Sequence, residues 1–180
     1  MFIASKIRKE NIAEYILYMW QIEDIIRAYG LDIDRIDTNF IRPQNLRPEQ
    51  AKNVREWFES LIDMMKQEGV VSAGHLQINR NVMMNLTDFH NSLLADDSHA
   101  KYRALFYSVL PLIVELRAKA GDNPAGEIET CFNLLYATLL LRLQKKDISK
   151  STADAVTQIS HFIATLTRLF HKDENEATIK

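Results

Sequence analysis

Hydrophobic residues recur at helical spacing along most of this chain, and residues 11–29 carry the strongest pattern. When these residues are placed about 100° apart around a helix axis, apolar side chains cover most of the circumference. Only Glu14 and Gln21 mark a narrow polar edge, and residues 5–10 extend the helix backwards as a more polar first part. A helix that is apolar on most sides is typical of a protein interior. Gly30 is expected to end it, since glycine readily adopts the left-handed conformation that closes helices.

Later stretches with helical periodicity predict an all-α, single-domain bundle of six or seven helices with no sheet. These stretches cover approximately residues 31–41, 48–69, 76–94, 98–121, 127–145 and 149–171. The first and sixth helices are the most apolar and are expected to be the innermost. Pro111 predicts a kink in the fifth helix, because proline removes a backbone hydrogen bond. Residues 1–171 are expected to form the domain, and residues 172–180 a frayed polar tail.

Composition and charge narrow the class of protein. The 180 residues are 47% hydrophobic and 26% charged, which is ordinary for a globular domain, and the net charge is -2. Because the basic residues are scattered among acidic ones, the chain has no broad positive field, and we expect neither nucleic acid nor membrane as a partner. The single cysteine, Cys131, cannot form an internal disulfide and fits a reducing, cytoplasmic compartment.

Two charged residues interrupt the apolar stripe of the first helix. Glu23 projects in nearly the same direction as Ile16, and Arg27 follows one turn later beside Trp20. A buried carboxylate needs a partner, so one hypothesis is an internal Glu23–Arg27 ion pair that fixes the helix register. The alternative is that both residues line a polar pocket with Trp20 and Asp24.

Histidines supply one further candidate for that pocket. His75 and His90 are about four helical turns apart, more than about 20 Å, and cannot share a metal ion. His90 lies on an apolar stripe, where a histidine is more often a hydrogen-bonded core residue than a ligand. His75 follows Gly74 near a helix start, where chain ends can form the edge of a cleft. The candidate ligand-binding residues are therefore Trp20, Glu23, Asp24, Arg27 and His75.

Motifs of catalysis and metal binding are absent from the sequence. It contains no glycine-rich phosphate loop, no G-x-S-x-G and no paired cysteines. It also lacks a histidine pair at helical spacing and the Glu-x-x-His of two-metal bundles. We therefore predict no catalytic residue, no metal site and no cofactor.

The run ENIAEYILYMWQIEDIIRAYGLDID, residues 10–34, resembles the opening of a known family. That family is an uncharacterised bacterial domain of unknown function, made of small all-helical proteins of about this length. A weaker match is Gly74-His75-Leu76, and the distinctive residues of the first run are Glu14, Tyr15, Tyr18, Met19, Trp20, Glu23, Asp24 and Arg27. The resemblance covers most of the chain. It implies a single cytoplasmic helical domain and no assigned activity.

Two classes of function stay open at this point. The favoured one is a non-catalytic interaction or scaffold protein that forms a dimer or binds a protein partner, because the apolar helices exceed what one small domain must bury. The alternative is a small-molecule-binding protein or enzyme with a pocket between helices around Trp20, Glu23 and Arg27.

Overall fold

The fold is all-α, as the sequence predicts. A computed structural model describes the backbone of residues 2–121 and 125–179 and the side chains of residues 4–121 and 125–176. These residues contain no β-strand and eight α-helices, so the expected count of six or seven helices was one or two too low. The helices are α1 Phe2–Glu10, α2 Ile12–Ala28, α3 Ile33–Ile36, α4 Pro48–Gln67, α5 Gln77–Ala95, α6 Ala100–Lys119, α7 Glu127–Leu143 and α8 Lys150–Ile179.

The additional helix arises from a break at Asn11. The sequence pattern suggests one helix from residue 5 onwards, but α1 and α2 are separate. The Asn11 side chain accepts a hydrogen bond from the Ala13 N–H at 3.1 Å, as an amino-terminal capping residue does. An asparagine inside an otherwise periodic stretch can therefore begin a new helix.

The short helix predicted at residues 31–41 is only partly α-helical. Asp32 caps α3 by accepting hydrogen bonds from the Asp34 and Arg35 N–H groups. A π-helical turn, Asp37–Ile41, and a 3-10 turn, Arg42–Gln44, then continue the chain. The apolar residues Ile36 and Ile41 are nevertheless buried, as their spacing predicts.

Contacts between residues divide the chain into two compact units. The first unit consists of Met1–Glu10 and Glu14–Val82. Within it, α3 and the π-helical turn pack on α4. Aromatic rings add further contacts, because Tyr18 of α2 stacks on Trp57 of α4 and Phe40 meets Phe58 edge to face. This unit carries α2 and the start of α5, which position the candidate site.

The second unit consists of Asn11–Ala13 and Met83–Lys180. Helices α6, α7 and α8 all pack on one another there. In α7, the expected sixth helix, full burial is concentrated near the start, at Ile128, Cys131 and Phe132. Further along α7, Leu143 is exposed. Burial raises the pKa of the Cys131 thiol to about 12, so this cysteine is an inert core residue.

Three expectations about the chain's shape, the bend at Pro111, the frayed tail and the single domain, stay predictions. Helix α6 continues without interruption through Pro111, and the bend expected before this residue stays a prediction. Helix α8 extends to Ile179, so residues 172–179 are helical, while their fraying also stays a prediction. The same holds for a single domain over residues 1–171.

Within the described ranges, every helix is too short or too polar to span a bilayer.

Candidate functional site

Glu23 is the centre of the candidate site in the first unit. It lies in the middle of α2, between the buried residues Ile22 and Ile26, and its relative accessibility is 0%. The apolar residues on most sides of α2 draw the whole helix into the core, and Glu23 is buried with them. A carboxylate in such a place must find donors within the protein.

Three donors converge on the Glu23 carboxylate. Its Oε1 accepts hydrogen bonds from the Leu76 backbone N–H at 2.9 Å and from the Asn79 side-chain amide at 2.6 Å. Its Oε2 lies 2.6 Å from Nδ1 of His75. All three donors belong to the start of α5, where backbone N–H groups lack partners and the helix dipole favours negative charge. Glu23 therefore caps α5 from a different helix.

The predicted Glu23–Arg27 ion pair was wrong. Arg27 Nη1 instead donates to Asp24 Oδ1 at 2.9 Å, in an ion pair between residues three apart on α2. The amino terminus of α5 already supplies the donors that Glu23 requires. The long Arg27 side chain is then free to reach the loop between α4 and α5. Spacing along one helix could not reveal the donors that a second helix brings.

Arg27 ties both ends of that loop to α2. Its Nη2 donates to the Val70 carbonyl at 3.2 Å and to the Gly74 carbonyl. Its side chain is 16% exposed, and Nε has no hydrogen-bond partner in the described part of the chain. Gly74 adopts a φ of +85°, which favours glycine at this end of the loop.

Of the two side chains that hydrogen-bond to Glu23, His75 is more accessible than Asn79. Its ring stacks on Trp20, with centroids 4.3 Å apart and planes 13° apart, and its side chain is 28% exposed. Since a carboxylate can only accept, Nδ1 carries the proton that points at Glu23. Among the described residues Nε2 has no hydrogen-bond partner.

The structure brings together all five predicted site residues. We call this set the Glu23 cluster: Trp20, Glu23, Asp24, Arg27 and His75, with the addition of Asn79. Asn79 is not among the residues that the sequence predicts for the site. It is one turn after His75, which is the signal that could have found it. Asn79 also accepts a hydrogen bond from the Tyr15 hydroxyl at 3.4 Å, and burial raises the pKa of that tyrosine.

A second buried polar centre lies in the other unit. His90 is almost fully buried, and its Nδ1 lies 2.6 Å from the Tyr102 hydroxyl. The rings of Phe106 and Phe162 contact His90 edge to face. Burial lowers the pKa of His90 and raises that of Tyr102, so the phenol stays protonated and donates to a neutral imidazole. The prediction of a hydrogen-bonded core histidine is confirmed.

Helix α6 in the second unit carries an exposed apolar stripe. Its inner face is buried through Tyr102, Phe106, Val109 and Ile113. Its opposite side we call the α6 outer face: Ala104, Tyr107, Pro111, Val114 and Ala118. All five are exposed, and Tyr107 and Val114 have 60% and 56% of their surface accessible. They recur every three or four residues, the spacing of a helix seam that packs on another helix.

The described residues contain no group of three or more histidine, cysteine, aspartate or glutamate side chains placed to hold a metal ion. The Glu23 cluster is held by hydrogen bonds and ion pairs among its own side chains. It offers a fixed imidazole, an aromatic face and an arginine that is already engaged.

Comparisons with known proteins identify the family only. No curated protein matches the chain, and no solved structure does so. The predicted resemblance to an uncharacterised family is confirmed. The family described as Domain of unknown function (DUF4924) matches residues 1–177, and the chain belongs to that family.

Proposed function

We propose that this protein is a non-catalytic helical interaction protein that associates with a second copy of itself through the α6 outer face. The observation that carries the proposal is the exposure of Tyr107 and Val114, at 60% and 56%, on a helix whose opposite side is fully buried. An apolar stripe on the surface of a helix is typical of an interaction site.

The Glu23 cluster supports the non-catalytic part of this proposal. Glu23 has three donors, and each of them belongs to the start of α5. A carboxylate that is occupied in this way holds two helices together. A group that must exchange protons with a substrate needs a free position instead.

Sedimentation velocity over a concentration series tests the proposal. We expect the wild-type chain to change from monomer to dimer between about 1 and 100 μM, as weak interfaces do. Tyr107→Glu together with Val114→Glu should remain monomeric, because each introduced charge would be buried in the interface. The matched control is Met84→Glu with Leu143→Glu, which changes two equally exposed apolar residues elsewhere in the second unit. A monomeric wild type at 100 μM, or a dimer unaffected by the first pair of substitutions, contradicts the proposal.

A second candidate function is binding of a small polar molecule at the Glu23 cluster. The observation that favours it is His75, whose ring is oriented by Glu23, stacked on Trp20 and still 28% exposed. Such a ring presents Nε2 to a ligand that carries a hydrogen-bond donor.

Acylation by diethyl pyrocarbonate, mapped by mass spectrometry, tests whether Nε2 is available. We expect modification of His75 at a rate comparable to that of the exposed His161. His75→Asn is the matched variant, because its side-chain amide can still donate to Glu23 while Nε2 is lost. If His161 reacts and His75 does not, Nε2 is shielded and this candidate fails.

Location and source complete the proposal. The buried thiol of Cys131 supports a reducing, cytoplasmic compartment. A bacterial source stays a prediction from the family resemblance.

A further inference from the structure

The pattern of residues on the α6 outer face defines how a second copy can pack on it. We infer that two copies pair through α6 in antiparallel orientation, with Ser108 of each copy beside the two-fold axis. This inference rests on the proposed self-association and adds its geometry. A two-fold axis is the expected symmetry, because it places one self-complementary surface on both copies.

The apolar layers fit this register. Ala104, Tyr107, Pro111 and Val114 alternate in steps of three and four residues, the spacing of an antiparallel helix seam. In the antiparallel pair, Tyr107 faces Pro111 of the second copy and Ala104 faces Val114. Each layer therefore combines one larger and one smaller side chain, or the flat faces of two rings. The exposed Pro111 suits the centre of such a seam, because its ring is not covered by the rest of its own unit.

Charge complementarity selects the same register. Lys101, Ser108 and Glu115 follow one flank of the stripe at intervals of seven residues, and all three are exposed. Within its own helix Glu115 also pairs with Lys119 at 2.6 Å, which leaves its second carboxylate oxygen for a lysine of the other copy. With Ser108 at the axis, Lys101 of each copy faces Glu115 of the other, which forms two equivalent ion pairs. Sliding the helices by seven residues brings Ser108 opposite Glu115 and moves Lys101 past the end of the facing α6, which closes at Lys119.

The other flank carries two arginines that are already neutralised. Arg103 forms an ion pair with Asp97 at 2.9 Å, and Arg117 with Glu127 at 3.3 Å. In the antiparallel pair, Arg103 of one copy approaches Arg117 of the other. Because each guanidinium keeps its own carboxylate, this flank introduces no unbalanced repulsion.

The length of the seam sets the expected strength. From Ala104 to Ala118 a helix rises about 21 Å, which is short for a stable dimer. We therefore expect a dissociation constant on the order of 10 μM. The dimer would form or separate with modest changes in protein concentration.

Cross-linking tests the position of the axis. Ser108→Cys should be joined into a covalent dimer by a short bis-maleimide, because the two thiols flank the axis. Ser160→Cys on α8 is the matched control, since it also replaces an exposed serine of the second unit. The native Cys131 is buried and should stay unreactive in both variants.

Charge reversal tests the register. Lys101→Glu and Glu115→Lys should each raise the dissociation constant about tenfold, because two attractive pairs become repulsive. The double variant should return to the wild-type value, since both pairs are restored with reversed sign. A wild-type dimer in which Ser108→Cys fails to cross-link, or in which the double reversal stays weak, overturns this register while the proposed self-association stands. A wild type that is monomeric at 100 μM overturns both.

Discussion

Glu23 in the first unit and His90 in the second are both buried polar side chains. They differ in the number and kind of their hydrogen-bond partners. Glu23 carries a charge and has three donors around it, including a backbone N–H and the ring of His75. His90 is neutral, has one hydroxyl partner, and is otherwise enclosed by aromatic rings. The number of partners follows the charge, because an ionised group loses far more solvation on burial than a neutral imidazole does.

The difference also separates a candidate site from a core residue. The donors of Glu23 include His75, which is 28% exposed, so the buried carboxylate is linked to the surface through an oriented ring. The partner of His90 is Tyr102, which is itself buried. The hydrogen-bond network of Glu23 therefore reaches the surface through His75, whereas that of His90 is enclosed in the core.

The largest expected effect is the loss of Glu23. Glu23→Ala leaves the Leu76 N–H, the Asn79 amide and the His75 ring without their acceptor and opens a cavity, so we expect a destabilisation of about 3 to 5 kcal/mol. Urea denaturation measures it. Glu56→Ala on α4 removes an exposed glutamate and should change stability by less than about 0.5 kcal/mol. A loss below about 1 kcal/mol for Glu23→Ala would show that water replaces the carboxylate and that the cluster is open to solvent.

An intermediate effect is expected at the neutral centre. Tyr102→Phe leaves the buried Nδ1 of His90 without its donor and should cost about 1 to 3 kcal/mol. His90→Phe combined with Tyr102→Phe removes both polar groups and should recover most of that loss, since rings of similar shape then fill the same space. Urea denaturation of the single and double variants gives the coupling free energy. If the double variant is as unstable as Tyr102→Phe, the loss of stability comes from the packing around the two rings and not from the missing hydrogen bond.

The smallest expected effect is a dependence of stability on pH. Burial lowers the pKa of His90 below its ordinary value of 6.5, so the folded state binds fewer protons than the unfolded state between these two values. The contribution of the neutral His90 to the free energy of unfolding is fully present above pH 6.5. It is lost as the pH falls below that value. Between pH 7 and pH 5 we expect the wild type to lose more stability than the His90→Phe and Tyr102→Phe double variant. Equal slopes for the two proteins would indicate that His90 is accessible to protons in the fold.

Local patterns made the helices predictable. The ending of α2 was expected from Gly30, which has a φ of +69° and follows the last helical turn. Its N–H donates to the Arg27 carbonyl, and the Leu31 N–H reaches the Ile26 carbonyl, the bonds that close a helix at glycine. Burial of Ile16, Met19 and Ile26 likewise follows from their spacing alone.

Tertiary partners were not predictable in the same way. The five residues of the predicted site do meet, because the apolar pattern of α2 forces Glu23 inwards and leaves it in need of donors. The donors are 52 to 56 residues away in sequence, at His75, Leu76 and Asn79. Nothing in the local spacing of α2 indicates them, so the nearest cation on the same helix, Arg27, was the natural but wrong choice. The α6 outer face was hidden for the opposite reason, since its residues look like core residues until the fold shows which side is buried.

The hydrogen bonds from Arg27 to the Val70 and Gly74 carbonyls make the loop between them suitable for insertions. They fix the two points where the loop leaves and rejoins the body of the first unit, so the exposed residues between them, including Ser72, are a bridge between anchored ends. Lengthening such a bridge costs only the added closure entropy, about 0.6 kcal/mol for each doubling of its length. A peptide tag or a reporter domain inserted at Ser72 would thus be carried outside the fold while both anchors stay in place.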